Sequence, residues 1–253
     1  MPSSSAPPFT VLNPQGDPAV LLVCDHASNY TPPEYDSLGL PAPEFSRHIA
    51  WDIGAADCTR ALSGLLNAPA VLAGFSRLLI DPNRGADDPT LVMKLSDGAI
   101  IPGNRHADQA EIDRRIVRFY QPYHDAITGR LAAARTAGVI CALISIHSFT
   151  PVFHGYQRPW HIGILWDKDA RLARPLLETL GAEPGLCVGD NQPYSGELVG
   201  DSMFRHGTRN GLPHVLIELR QDLIDTASVA RDWAVRLEAV LRPILAGVKQ
   251  QHG

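Results

Sequence analysis

Cysteine is scarce in this sequence of 253 residues, which has only four, and no two of them form a Cys-x-x-Cys pair. They stand far apart, and most fall in apolar stretches where a free thiol behaves as a small hydrophobic side chain. They are Cys24, Cys58, Cys141 and Cys187. The pattern predicts reduced thiols of a cytoplasmic protein rather than disulfides.

Long apolar runs and blocks of like charge are also absent. No segment approaches eighteen uninterrupted apolar residues, and the opening "MPSSSAPPFT" has neither the basic nor the apolar region of a signal peptide. The net charge of -5 is mild and spread along the chain. These absences predict a soluble cytoplasmic protein that binds neither a membrane nor a nucleic acid. Association into a homo-oligomer stays open.

The chain has enough hydrophobic residues, 45%, to bury one substantial core. We therefore expect a single domain over residues 1–253. Residues 1–9, rich in serine and proline, are expected to be flexible.

Apolar runs alternate with segments of helical periodicity. Strands are predicted at 19–24, 69–73, 77–80, 139–146, 161–166 and 214–219. Helices are predicted at 46–66, 168–180 and 225–246, with a further long helix from about residue 110 that Pro122 should kink and Gly138 should end. This alternation is typical of an α/β fold with a mostly parallel or mixed central sheet and helices on both faces. The long loops 81–104 and 184–213 are predicted to be functional or mobile.

Polar side chains of catalytic type accompany four of these runs. Asp25 and His26 follow the first, Asp81, Asn83 and Arg84 follow 77–80, His147 follows 139–146, and Glu218 lies near the end of 214–219. Because ligands in open α/β sheets bind outside the carboxyl ends of the strands, these side chains are predicted to converge. The alternatives are a solvated loop at Asp25 and His26, and an ordinary turn at "DPNRG".

The residue types favour a hydrolytic metal site. A catalytic zinc ion typically takes three nitrogen or oxygen ligands and leaves a position for water, and His26 and His147 can supply two. Glu218 can accept the proton of that water because burial raises the pKa of a carboxyl group, although a buried ion pair with an arginine is the alternative. Arg84 offers a planar pair of donors that matches a substrate carboxylate, and Asn83 can add a hydrogen bond.

Five segments, in this order, resemble the N-formylglutamate amidohydrolase family: "VCDHAS", "FSRLLIDPNR", "FYQPYHDAI", "ISIHSF" and "NGLPHVLIELR". The resemblance covers residues 18 to 245. It implies a fold like the zinc carboxypeptidases and aspartoacylases, which are zinc-exopeptidase-like. It also implies hydrolysis of the amide bond of an N-acyl amino acid such as N-formyl-L-glutamate, which releases formate and the amino acid.

The resemblance further implies roles for individual residues. His26 and His147 would bind one divalent metal ion, zinc in these relatives. Glu218 would be the general base, and Arg84 would act with Asn83 to hold the substrate carboxylate at the catalytic centre.

The sequence departs from these relatives at the third metal ligand. Zinc carboxypeptidases carry Glu three residues after the first histidine, where this chain has Asn29, so that ligand must come from elsewhere. Asp52 is the candidate, with helix capping or pairing to Arg47 as the alternative. Asp25 and Asn29 are predicted to support the ligands rather than bind metal, and Asp25 would accept the second ring N–H of a histidine.

Four further residues are candidates for substrate binding: Arg77, Arg205, Arg209 and His124. The arginines could hold a second carboxylate or could be solvated surface, and His124 could be an ordinary helix histidine. The expected partner is a small N-acyl amino acid. A metallohydrolase of a larger peptide or cell-wall amide, and a non-enzymatic carboxylate-binding protein, are the alternatives.

Overall fold

The computed structural model describes residues 6–250, with side chains through residue 248. In that part of the chain the strands are β1 Phe9–Leu12, β2 Val20–Cys24, β3 Ala70–Ala73, β4 Leu95–Ser96, β5 Ala99–Ile100, β6 Ala142–Phe149, β7 Val152–Phe153, β8 Tyr156–Gln157, β9 Ile162–Leu165, β10 Val188–Asp190 and β11 His214–Arg220. Seven of them form one mixed sheet in the order β1-β3-β2-β6-β11-β9-β10, while β4-β5 and β7-β8 are separate hairpins. Strands β3, β2, β6 and β11 are parallel neighbours, so their carboxyl ends lie at one edge of the sheet.

The helices of the described residues are α1 Ala55–Leu66, α2 Pro102–Arg105, α3 Gln109–Arg115, α4 Gln121–Thr136, α5 Ala173–Gly181 and α6 Ala227–Gln250. Short 3-10 turns lie at Pro33–Gly39, Ala42–Ser46, Thr208–Asn210 and Gln221–Leu223, and π-helical segments at Ile116–Tyr120 and Met203–Gly207. No helix among these residues is both long and apolar enough to cross a membrane.

Both faces of the sheet are covered, as the α/β prediction requires. Along β2, Val20, Leu22 and Cys24 pack on the side of α1, α5 and α6. Leu21 and Val23 pack on the side of α4 and the π segment before it. A strand buried on both faces reads as a continuous apolar run, which is why β2 could be predicted. The predicted fold class is confirmed.

The prediction of a strand at 77–80 is wrong. Leu78, Leu79 and Ile80 are fully buried, but they form a turn in which the Leu79 N–H donates to the Ser76 carbonyl at 2.9 Å. Their side chains pack in the core on the α4 side of the sheet. A buried turn is as apolar as a buried strand, so composition could not separate the two.

The helix predicted from residue 46 begins only at Ala55. Gly54 precedes it with a φ of 79°, a conformation that non-glycine residues rarely adopt. A Cβ at Gly54 would also lie 2.0 Å from the carbonyl oxygen of Ile224. Asp52 therefore lies in the turn before the helix, at the edge of the sheet.

The predicted long helix is present in two parts. A π turn, in which the Gln121 N–H donates to the Ile116 carbonyl, joins α3 to α4 just before Pro122. Pro122 has no N–H to donate, and such bulges commonly accommodate interrupted hydrogen bonding. Gly138, at a φ of 71°, follows the helix end, as predicted.

The segment predicted to be flexible at 1–9 needs one correction. Residues 1–5 lie outside the described residues. Phe9, however, is the first residue of β1 and pairs with Ala73 of β3 in an antiparallel register.

Candidate metal centre and substrate cavity

Three buried side chains from distant parts of the chain meet at the carboxyl edge of the sheet. His26 lies two residues past β2, His147 lies within β6, and Asp52 lies in the turn before α1. One ligand atom from each lies within 4.8 Å of the others. The Asp52 N–H donates to the His26 carbonyl at 2.9 Å, which holds this turn against the end of β2.

The two histidines present the same ring nitrogen to Asp52. His147 Nδ1 lies 2.8 Å from Asp52 Oδ2, and His26 Nδ1 lies 3.3 Å from the same oxygen. Their Nε2 atoms point to other carboxylates: His26 Nε2 is 2.7 Å from Asp81 Oδ1, and His147 Nε2 is 3.0 Å from Asp25 Oδ2. An imidazole that donates Nε2–H keeps its Nδ1 lone pair for a metal ion. The donor set of two imidazole nitrogens and one carboxylate therefore fits a divalent cation.

Asp25 orients His147, the histidine on the neighbouring strand, and not its sequence neighbour His26. Its carboxylate also accepts hydrogen bonds from Tyr123 at 2.9 Å, from Ser145 at 3.1 Å and from Ser202. Burial opposes ionisation, but the hydrogen bond and charge of His147 outweigh it and hold the pKa of Asp25 below its usual range. The supporting contact predicted for Asp25 is present, and it explains why an apolar strand ends on an ionisable pair.

Asp81 orients His26 in the same way. It also accepts the Asn83 N–H at 2.9 Å and an Arg77 N–H at 3.0 Å. Burial opposes ionisation here too, and the charges of Arg77 and His26 hold the pKa of Asp81 well below its usual range. The sequence shows Asp81 as a carboxylate directly after an apolar run, but it does not indicate that this carboxylate contacts His26.

The ionised carboxylates also act on the metal-ligand candidates. Burial opposes the charged form of His147, but its hydrogen bonds to Asp25 and Asp52 raise its pKa well above the usual value. The pKa of Asp52 is lowered because the charge of His26 and the hydrogen bond of His147 outweigh its burial. A proton therefore competes with a metal ion for His147 Nδ1.

Glu218 differs from these carboxylates. It pairs with His147 in the parallel register of β11 and β6, so both side chains project from the same face of the sheet. Its Oε2 atom is buried and has no hydrogen-bond partner among the described residues. Burial is the largest influence on this group and raises the pKa of Glu218 to about 8. An unpartnered carboxyl oxygen beside the ligand triad is available to water or substrate.

A cavity of about 490 Å³ opens over this centre and is lined by the triad, Glu218 and three predicted substrate-binding residues: Arg77, Asn83 and Arg84. Asn83 Oδ1 accepts the Ser202 N–H at 3.0 Å. Arg84 is half-buried, and its Nη1 donates to the Asn83 carbonyl at 2.9 Å. The predicted carboxylate clamp therefore faces the same cavity as the metal-ligand candidates.

Arg77 lines the cavity but is already paired. Its Nη2 lies 3.0 Å from Asp81, and its Nη1 lies 3.5 Å from Asp52. The guanidinium therefore lies beside the ligand triad and balances two carboxylates there.

Two predicted arginines do not line this cavity. The Arg205 guanidinium lies over the Tyr120 ring at 5.0 Å, and that of Arg209 lies over the Phe204 ring at 5.6 Å. Both cations therefore contact aromatic faces, and their predicted part in binding substrate stays a prediction.

Asn29 and His124 are likewise placed elsewhere. Asn29 is exposed and donates to the Phe45 carbonyl at 2.8 Å, because a short amide in a loop finds a backbone partner nearby. His124 is buried outside the cavity, with Nε2 3.0 Å from the Pro82 carbonyl and Nδ1 2.9 Å from His206 Nε2. It contacts the backbone just before Asn83, and its predicted part in binding substrate stays a prediction.

The loop 191–202 contributes cavity residues that the sequence did not single out. Asp201 is the most buried of them, and its Oδ1 accepts the Phe204 N–H at 2.6 Å. Burial raises the pKa of Asp201 to about 7. The length of the predicted loop 184–213 was the only signal, since no motif marks this residue.

A family model and two solved structures are similar to this chain. Residues 18–225 match the family model described as N-formylglutamate amidohydrolase. The gene product Atu2144 from Agrobacterium tumefaciens is 38% identical in sequence and has a similar structure, with a TM-score of 0.91 over 96% of each chain. The N-formylglutamate amidohydrolase from Ralstonia eutropha JMP134 is 22% identical and shares the fold, with a TM-score of 0.66 over 97% of this chain and 98% of its own. No curated protein matches the chain. The match over residues 18–225 shows that this chain belongs to the N-formylglutamate amidohydrolase family.

Proposed function

We propose that this protein hydrolyses the amide bond of an N-acyl amino acid, of which N-formyl-L-glutamate is the family's example, and releases formate and the free amino acid. One observation carries the proposal. The Nε2 atoms of His26 and His147 each lie within hydrogen-bond distance of a carboxylate, and both Nδ1 atoms face Asp52, beside the unpartnered Glu218. Membership of an amidohydrolase family supports it.

The proposal includes one divalent metal ion, zinc, held by His26, Asp52 and His147. Two imidazoles and a carboxylate are a common ligand set for catalytic zinc. When bound, such an ion polarises a carbonyl group and lowers the pKa of water.

Glu218 acts as the general base. Its carboxylate takes a proton from the water whose oxygen forms the new bond to the acyl carbon. It then delivers that proton to the amide nitrogen as the C–N bond breaks, so that one water and one amide give an acid and an amine. Burial raises the pKa of this carboxyl group above its usual value, towards the working pH, where it can both accept and return a proton.

Arg84 and Asn83 hold the free carboxylate of the amino acid. The guanidinium donates two parallel hydrogen bonds to it, and the Asn83 amide nitrogen can add a third. Arg77, which lies beside Asp52, stabilises the negative charge that develops on the acyl oxygen.

The test begins with elemental analysis of protein purified without chelator. Rates are then measured for N-formyl and N-acetyl amino acids beside the matching α-amides. We expect about one equivalent of metal and much faster hydrolysis of the acids. Less than about a tenth of an equivalent, with no gain on adding zinc, cobalt or manganese, would contradict the metal site. Bound metal without activity on any of these compounds would transfer the proposal to a peptide or cell-wall amide.

A further inference from the structure

One buried arginine takes no part in the centre described above. Arg158 follows β8 directly and is only 6% exposed. Among the described residues, no carboxylate lies within ion-pair distance of its guanidinium. Burial is the main influence that raises the pKa of Glu218, and the charge of Arg158 is one of those that oppose the rise, so the two groups are near each other without forming a pair. A buried charge without a counter-charge is costly, and an anion that comes close to it is stabilised.

Polar and aromatic contacts hold this guanidinium in place. Its Nη1 donates to Thr150 Oγ1 at 3.2 Å and to the Tyr194 hydroxyl oxygen at 3.2 Å. Its central carbon lies 4.7 Å from the centroid of the Phe153 ring, 5.1 Å from that of Tyr194 and 5.7 Å from that of Phe149. Aromatic faces and hydroxyl groups offset part of the cost of burying the charge, but they do not neutralise it.

The residues around Arg158 form one wall of the cavity over the metal centre. All four residues that contact the guanidinium line that cavity: Phe149, Thr150, Phe153 and Tyr194. Phe149 lies two residues after His147 on β6, so both side chains project from the same face of the strand. The charge of Arg158 therefore lies directly behind a part of the wall that adjoins a candidate metal ligand.

The Tyr194 hydroxyl carries the effect of this charge to the cavity. The side chain is 44% exposed and lines the cavity. Because its oxygen accepts a hydrogen bond from Arg158, its own hydrogen is left to donate, and that hydrogen has no acceptor among the described residues. A hydroxyl that accepts from a cation becomes a stronger donor. An anionic oxygen in the cavity would be a suitable acceptor for it.

The hydrolysis proposed above assigns a place to one substrate carboxylate, at Arg84 and Asn83. Arg77 also faces the cavity, but its guanidinium is paired with Asp81 and lies beside Asp52. N-formyl-L-glutamate carries a second carboxylate, and no residue role proposed above holds it.

We infer that Tyr194 and Arg158 form a second anion-binding subsite, in which the Tyr194 hydroxyl donates a hydrogen bond to a second carboxylate of the substrate and Arg158 supplies the positive charge behind it. This inference rests on the proposed amide hydrolysis and narrows the preferred substrates to those with two carboxylates. The second carboxylate belongs either to the amino-acid side chain, as in N-formylglutamate, or to a dicarboxylic acyl group, as in an N-succinyl amino acid.

The test compares kcat/KM of the metal-loaded enzyme within two matched pairs of substrates. One pair is N-formylglutamate and N-formylglutamine, and the other is N-succinyl-leucine and its analogue with a terminal amide in place of the succinyl carboxylate. We expect the acid of at least one pair to exceed its amide by roughly tenfold or more, because hydrogen bonds to charged groups are the stronger ones. The pair with this preference identifies the carboxylate that binds. No preference for the acid in either pair overturns the inference and leaves amide hydrolysis intact, whereas no hydrolysis of any of the four overturns the proposed function as well.

The variant Tyr194→Phe removes the hydroxyl and keeps the ring over the guanidinium. We expect the ratio of acid to amide rates to fall roughly tenfold in the pair that shows the preference, with the amide rate within about twofold of the parent enzyme. Tyr156→Phe, at a 59% exposed position of β8, is the matched control and should leave the ratio unchanged. Equal losses on the acid and the amide would show that Tyr194 does not bind the second carboxylate, and would overturn the inference.

Arg158→Gln tests the charge behind the hydroxyl. The ratio of acid to amide rates should fall at least as far as in Tyr194→Phe, and Arg158→Lys should restore part of it because lysine keeps the charge. A purely structural role would lower both rates together and leave the ratio in place, which would contradict the part assigned to Arg158. If thermal unfolding shows that Arg158→Gln does not fold, the result with Tyr194→Phe decides.

Discussion

Four of the buried carboxyl groups around the candidate metal centre are Asp25, Asp52, Asp81 and Glu218, and their surroundings move their pKa values in opposite directions. Those of Asp25, Asp52 and Asp81 are lowered because each accepts hydrogen bonds from histidine, arginine or both. That of Glu218 is raised because burial is not offset by a hydrogen bond to Oε2. Carboxyl groups that are separated in this way usually have different roles. Three stay ionised and contact the candidate ligand histidines, and the fourth can exchange a proton.

Glu218→Gln tests the role of the fourth group. The amide keeps the shape of the side chain but cannot accept a proton, so kcat should fall by about 10²-fold or more with metal still bound. Steady-state rates and metal content measure the two effects, and Glu178→Gln, at an exposed position of α5, is the control. Loss of metal would make Glu218 a ligand, and near-parental activity would remove it from the mechanism.

Arg84→Lys tests the carboxylate clamp. Lysine keeps the charge but loses the planar pair of donors, so kcat/KM on N-formyl amino acids should fall roughly tenfold or more, with little change on their α-amides. The ratio of the two rates is the measurement, and Arg60→Lys, on the exposed side of α1, is the control. A ratio that Arg84→Lys leaves unchanged would show that Arg84 does not bind the carboxylate.

At the scale of elements, the centre depends on how the ends of β2 and β6 are joined. Asp25 at the end of β2 accepts hydrogen bonds from His147 and Ser145 of β6, from Tyr123 of α4 and from Ser202. One carboxylate therefore fixes His147, a candidate metal ligand, relative to two strands, a helix and a loop.

Asp25→Asn should loosen this junction. An amide has one oxygen for these donors, and its NH₂ group would face a donor in place of the second. Metal affinity should fall by about 10- to 100-fold while the fold persists. Competition titration against a chromogenic chelator measures the affinity, circular dichroism checks the fold, and Asp222→Asn on the surface is the control. An unchanged affinity would show that His147 does not need Asp25 to bind metal.

The pattern of apolar residues predicted the central strands of the sheet. It did not predict the edge strands, because they are only partly buried. Strands β2, β3, β6, β9 and β11 are buried on both faces and read as apolar runs, whereas the edge strands β1 and β10 are short and partly exposed. The strand-end rule anticipated the convergence of His26, His147 and Glu218. The stacking of Arg205 and Arg209 on aromatic rings could not be foreseen, because side-chain direction in a loop depends on tertiary packing.

At the scale of the whole molecule, the raised pKa of Glu218 makes stability depend on pH. The group is protonated in the folded metal-free protein up to about pH 8, but it ionises near 4.5 in the unfolded chain. Between these values the folded state binds more protons, so this group makes the free energy of unfolding fall as pH rises.

Metal-free Glu218→Gln should therefore gain thermal stability over the parent protein as pH increases from about 4.5 to about 8. The difference should level off above that range. Thermal unfolding of chelator-treated protein at a series of pH values gives the measurement, with Glu178→Gln run in parallel. A difference that stays constant with pH would mean that Glu218 is ionised in the folded metal-free state.

The position of β11 also has a consequence for biosynthesis. It is the last strand of the described chain but lies in the middle of the sheet, between β6 and β9. Until residue 220 has left the ribosome, one edge of β6 has no partner strand, and unpaired strand edges readily pair with other chains. Premature termination within α5 or β10 would leave all three candidate metal ligands in an aggregation-prone fragment, so the nascent chain is most vulnerable just before its final strand is inserted.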